Sequence, residues 1–384
     1  MKKAGALLLT ALLFASCANP SPTDYSAHTE APPIQSPAPE QPSPEPPLPE
    51  PPEMPEPSER PMPDFEVEEY NGSLYHVFFH FLIAFPDIAR NNSYGRNLDN
   101  DCVTPTEFRR SLEEFYRNGF VLMNLNDYVE IDADGTVSRK PIMVPVGKKP
   151  LILSFDDINY YSGNLGKGIC DKVILDSGGR LAMSTMQNGA ELITYDNCVI
   201  PILEAFCDEF PEFSPFGDKG MLAVTGFDGI LGYRTQRDSP NRESEIEAVK
   251  PVVQALLDSG WYFASHGYGH YDLAKISLDR VRDDTRKWIE EVVPLVGDTN
   301  IYIFPYGSRA TWDDPRFQSL IDDGFPLLMG VGMPPVGHPP YVRHTERYFF
   351  MDRWAVDGTT LRRHRDRLAP VLDTDFVFYQ AERP

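Results

Sequence analysis

The chain has few Lys and Arg, 35 against 57 Asp and Glu, and its 384 residues sum to a net charge of −22. That balance argues against nucleic acid as a partner. Neither G-x-G-x-x-G nor G-x-x-x-x-G-K-[ST] occurs, so a nucleotide would lack its usual glycine-rich phosphate cradle. No two of the five cysteines form a C-x-x-C pair, which removes the signature of a zinc ribbon. The one apolar run near the start, Ala4 to Phe14, is too short to span a bilayer comfortably.

That short run has another meaning. Lys2 and Lys3 precede it, and Ala15 and Ser16 lead into Cys17. A charged start, an apolar core and small residues form a secretory signal covering residues 1–16. Small residues directly before Cys17 resemble a bacterial lipoprotein signal, which implies lipidation of Cys17 and anchoring to the bacterial membrane outside the cytoplasm. A linker is expected over residues 17–68. Residues 18–64 hold 17 of the 37 prolines, interleaved with Glu and Ser. Proline fixes φ, so this stretch reads as a stiff polyproline spacer. It takes up much of the acidity: residues 18–70 carry −11 and residues 71–384 carry −13. Cys102, Cys170, Cys198 and Cys207 remain, as two disulfides of undetermined pairing or as four buried thiols.

From residue 69 to 384 a catalytic domain is expected. Strand and helix patterns alternate through it. Tyr75–Phe79 is aromatic and β-branched, and Leu151–Phe155 is almost continuously apolar, as in a strand buried on both faces. Trp261–Ser265, Ile301–Phe304 and Phe325–Val331 read as further strands. Between them lie helices. One starts at the capping sequence Thr104-Pro105-Thr106-Glu107. Others run over Ser244–Ser259 and from Ser277 onward. Such alternation predicts an α/β fold with a parallel sheet, closed as a barrel.

Active sites of α/β barrels lie at the carboxyl ends of their strands. Here those ends carry His80, the pair Asp156-Asp157, the pair His266 and His270, and the turn Pro305-Tyr306-Gly307. Adjacent aspartates beyond a buried strand are costly unless paired or metal-bound. Two imidazoles spaced i, i+4 can face one metal ion, although Gly267 and Gly269 favour a tight loop over a helical turn.

These strings resemble motifs of the polysaccharide deacetylase (NodB-homology) family. Ser154-Phe155-Asp156-Asp157 is similar to T-F-D-D, Ser265-His266-Gly267-Tyr268-Gly269-His270 to H-[ST]-x-x-H, and Phe304-Pro305-Tyr306-Gly307 to the end of R-x-P-[YF]. The resemblance spans about residues 75–365. It implies a distorted (β/α) barrel of about seven strands and removal of acetyl groups from an acetylated polysaccharide. It also implies Asp156 as general base, with Asp157, His266 and His270 as ligands of a divalent metal, expected to be Zn²⁺. Pro305 and Tyr306 would serve the oxyanion.

The chain departs from the pattern at two points. The motif arginine would fall at Ile303, and no convincing late L-x-H string supplies an acid. Both gaps occur in the poly-N-acetylglucosamine deacetylase branch, whose acid follows the first strand. Phe79-His80-Phe81-Leu82-Ile83 resembles that string and implies His80 as general acid. Arg353 and Arg234 are the candidates to replace the arginine. Asn159-Tyr160-Tyr161, just after the aspartates, is expected to line the cleft, with Tyr160 as the candidate, and an insertion is expected between about 158 and 240. The reading favours N-deacetylation of an envelope or extracellular polymer. The alternatives are an O-acetyl esterase on a plant polysaccharide and an inactive carbohydrate-binding protein.

Overall fold

The structure, a computed structural model, describes residues 65–384. The signal segment, Cys17 and the linker up to residue 64 lie outside the described residues. Val67–Glu69, at the expected end of the linker, pairs antiparallel with Met143–Pro145.

Seven parallel strands close into a barrel. They are β1 (Tyr75–His80), β2 (Lys149–Asp156), β3 (Met221–Val224), β4 (Tyr262–Ser265), β5 (Ile301–Ile303), β6 (Leu327–Val331) and β7 (Tyr348–Ala355). Each pairs with its successor along the chain, and β7 closes on β1. The expected barrel of about seven strands is thus observed.

Period-two alternation divides each strand between two environments. Val77 and Phe79, Leu151, Leu153 and Phe155, and Phe350 face outward into the larger core. There they meet helices α1 (Pro105–Arg117), α2 (Val199–Glu209), α3 (Arg242–Asp258), α4 (Leu278–Glu291) and α5 (Pro315–Asp322). The helix starts follow the capping chemistry in the sequence. Thr104 and Glu107 form a reciprocal capping box on α1, and Ser277 caps α4. The residues between the outward ones point into the barrel. Toward one end these are Ile152, Ile303, Met329, Phe349 and Met351. Further along β1, β2 and β7 the inward positions become His76, Ser154, Asp156, His80 and Arg353, so the barrel turns polar toward the carboxyl ends.

The span from 158 to 240 is more than an insertion. It contains α2 and the barrel strand β3, so only the stretch before α2 is additional. That stretch forms a three-stranded antiparallel sheet of Lys172–Leu175, Leu181–Gln187 and Ala190–Thr194. Two features hid the rest. β3 is four residues long, and α2 is apolar on most sides, with buried Val199, Ile200, Ile202, Leu203 and Phe206. β7 also lacks a plain strand signature, because Asp352 and Arg353 interrupt its apolar run. Cys102, Cys170, Cys198 and Cys207 are buried free thiols.

Candidate active site

Asp156 ends β2, and its carboxylate points into the barrel. Adjacent residues of a strand face opposite ways. Asp157 escapes that rule by leaving the strand with φ 60°. Both carboxylates therefore serve one side of the sheet. His270 (φ 54°) and Tyr306 (φ 60°) adopt the same left-handed backbone. Among the described residues, three of the six non-glycine residues with positive φ thus meet at this site, the pattern expected where backbone strain is kept for function.

Asp157, His266 and His270 offer ligand atoms that all lie within 4.8 Å of one another. Asp157 Oδ1 and His270 Nε2 are 3.5 Å apart. Zinc bonds of about 2.0–2.2 Å give a tetrahedral edge of roughly 3.3–3.6 Å, so this pair needs almost no adjustment. His266 Nδ1 donates to the Ile303 carbonyl over 2.9 Å, which leaves the lone pair on Nε2 for a metal. Burial pushes the His266 pKa down to about 4, so the ring is neutral at neutral pH, as a ligand must be. One carboxylate with two neutral imidazoles suits a divalent ion with open positions.

The loop between the two histidines is held from α4. Asp284 accepts from the backbone N–H groups of Tyr268 (2.8 Å) and Gly269 (2.7 Å), and the Tyr268 hydroxyl donates to Glu291. Gly267 sits at φ 66°, a backbone that strains other residues, and a Cβ there would crowd Asp284 Oδ2 at 3.0 Å. A helical turn is thus replaced by a short loop clamped by one carboxylate.

Arg353 reaches Asp156 from β7. Its two terminal nitrogens donate to the two carboxylate oxygens over 2.6 and 2.9 Å. It also donates to Ser154 Oγ (3.1 Å) and to the Gly330 carbonyl (3.2 Å), and it lies over the Phe78 ring at 4.2 Å. Ser154 in turn bonds His76 Nε2 at 2.9 Å. Burial alone would push the Asp156 carboxyl up; Arg353 overrides it and holds the group well below the usual carboxylate range. Asp156 Oδ2 lies 4.0 Å from His266 Nε2, beside the proposed ligands but outside their set.

His80 is in register with Asp156 on the neighbouring strand. Its Nδ1 is buried with no hydrogen-bond partner among the described residues. Pro305 is buried and opens the turn that presents Tyr306. The Tyr306 ring is 71 % exposed and packs against His270, with centroids 4.7 Å apart.

Two candidates fall elsewhere. Tyr160 does not line the cleft: it is fully buried, with its hydroxyl 2.8 Å from Cys198 Sγ. The left-handed backbone of Tyr160 (φ 51°) turns the chain, and Tyr161 takes the place at the site. The Tyr161 hydroxyl donates to Asp157 Oδ1 over 2.7 Å and lies 3.1 Å from Thr225 Oγ1. Sequence offered two adjacent tyrosines and no means to choose, because the choice turns on one left-handed φ beside Asn159. That buried side chain ties the two loops by accepting from Thr225 N–H (2.9 Å) and donating to its carbonyl (3.0 Å). Arg234 is not on Asp156 either. It donates to the carbonyls of Asp228 and Tyr160, both at 2.7 Å, and so braces the loop after β3.

No family model and no curated protein matches the chain. Several solved structures do. The chain is similar to the Streptococcus pyogenes deacetylase PplD in complex with acetate, at 13 % identity and TM-score 0.38, over 75 % of this chain and 92 % of that one. IcaB from Ammonifex degensii matches at 14 % and 0.39, over 75 % and 93 %. The BpsB deacetylase domain from Bordetella bronchiseptica matches at 14 % and 0.37, over 76 % and 98 %.

Proposed function

We propose that the chain is a metal-dependent hydrolase that removes N-acetyl groups from an envelope or extracellular polysaccharide. The observation that carries this reading is the trio Asp157, His266 and His270 beside an Asp156 already gripped by Arg353. A divalent ion held by that trio, expected to be Zn²⁺, would acidify a water molecule and polarise the acetyl carbonyl. Asp156, kept ionised by Arg353, accepts the proton as water oxygen bonds to the acetyl carbon. The backbone N–H of Tyr306 would support the oxyanion. His80 donates a proton to the departing nitrogen as the carbon–nitrogen bond breaks, leaving acetate and a free amine on the sugar. Lipidation of Cys17, followed by the proline-rich spacer, would hold the barrel outside the bacterial membrane.

Loss of catalysis is disfavoured, because Arg353 supplies the contact that the missing motif arginine left open. The test is acetate release from N-acetylglucosamine oligomers, peptidoglycan and acetylxylan, with and without added Zn²⁺. Metal-dependent release from an N-acetylated polymer is expected. Release from acetylxylan alone would make the enzyme an O-acetyl esterase, and release from none would overturn the reading.

A further inference from the structure

One aromatic side chain at the rim is exposed yet firmly fixed. Phe227 lies just beyond β3 and is 43 % exposed. Its backbone N–H and that of Gly226 both donate to the Tyr268 carbonyl over 3.0 Å, in the loop between the two histidines. The next residue, Asp228, accepts from Ser162 N–H and pairs with Arg234 at 3.4 Å. The Phe227 ring stacks on Tyr161, with centroids 5.0 Å apart and planes 20° from parallel. Tyr161 in turn donates to Asp157. A continuous line of contacts therefore runs from an exposed ring through a half-buried one to a metal-ligand carboxylate.

Lone exposed apolar residues are ordinary. Phe227 differs in being immobilised by both loops that build the site. Aromatic faces offer a large apolar surface at low entropic cost, and the C–H face of a pyranose is the complementary surface on a sugar polymer. The exposed Tyr306 ring lies against His270. One exposed ring thus reaches Asp157 through Tyr161 and a second touches His270, an aromatic surface that suits a chain of sugars better than a single acetylated monomer.

Resting on the deacetylase reading, we infer that Phe227, backed by Tyr161, is a stacking subsite for the pyranose next to the acetylated sugar. It would make the enzyme selective for oligomers. The experiment compares wild-type protein with Phe227→Ala and Phe227→Trp. KM is measured for an N-acetylglucosamine pentamer and for a monomeric aryl acetate. Calorimetric Kd values are measured for the pentamer and for an acetylated xylo-oligosaccharide. Phe227→Ala should weaken the favoured oligomer about three- to tenfold, the range expected for one aromatic contact, and shift the monomer less. Phe227→Trp should restore oligomer binding. Equal effects on oligomer and monomer, or unchanged oligomer Kd in Phe227→Ala, would overturn the subsite, as would failure of both oligosaccharides to bind. If the wild type binds an oligomer but releases no acetate, the deacetylase reading fails while the Kd comparison still decides the subsite.

Discussion

The guanidinium of Arg353 grips both carboxylate oxygens of Asp156 inside the barrel, across the intervening strand β1. A fork-on-fork pair fixes the plane of the carboxylate as well as its charge. Arg353 is fully buried, and Ser154 and the Gly330 carbonyl take two more of its donors. Replacing Arg353 with Ala should cost about 3–5 kcal/mol of stability, because it strands a buried carboxylate. Arg353→Lys should fold better but lose activity, since a point charge cannot hold both oxygens. The pH dependence has a definite sign. Arg353 depresses the Asp156 pKa, so the pair's stabilisation is full above the unfolded carboxylate value of about 3.9 and fades as pH falls below it. In Arg353→Lys the weaker grip raises that pKa, and the acid limb of kcat/KM against pH should move upward. An unmoved limb would separate Arg353 from the ionisation of Asp156.

Metal loading should depend on three residues together. Asp157→Asn, His266→Ala and His270→Ala should each lose the roughly one divalent ion per chain that a three-ligand site holds. Elemental analysis reads this directly. Added Zn²⁺ should also raise the melting temperature of the stripped wild-type protein and not of the variants, because an ion that binds only the folded state stabilises it. An equal thermal shift in all four proteins would place the ion elsewhere.

Asp284 is a positioning residue for the same site. It holds the Tyr268 and Gly269 N–H groups, and burial raises its pKa despite those two bonds. Asp284→Asn keeps the shape and weakens the clamp. Metal affinity should fall about 10- to 100-fold, as for other supports of metal ligands. A loss of melting temperature with unchanged metal Kd would assign Asp284 to folding alone.

His80 should matter more for an amide than for an ester. An amine leaves poorly unless it is protonated, whereas an ester oxygen needs less help. His80→Gln should lower kcat on an N-acetylated oligomer by about 10²–10⁴-fold, the usual range for a general acid. Its effect on an aryl acetate should be much smaller. Equal losses on both substrates would remove His80 from the acid role.

Much of the site could be read along the chain because its carriers are local. Asp156-Asp157 follows a strand of conspicuous apolarity, and His266 and His270 lie within one short segment. Residue type and spacing were informative there, since buried carboxylates and paired imidazoles have few inexpensive uses. Tyr161 was less legible. Its choice over Tyr160 depends on one left-handed φ and on Asn159 bonding to a residue 66 positions away.

The amino-acid sequence by itself determined the alternation of strands and helices, the capped starts of α1 and α4, and the two pairs that reach the carboxyl ends. All of these arise from periodicity and short-range hydrogen bonding, which neighbouring residues control. Only the tertiary structure decided that β3 and β7 complete the barrel, that Arg353 meets Asp156 from 197 residues away, and that Arg234 braces a loop instead. The physical reason is closure. Once seven short strands form one ring, the inward positions of distant segments share a single interior, and which charges meet there follows from register across the sheet.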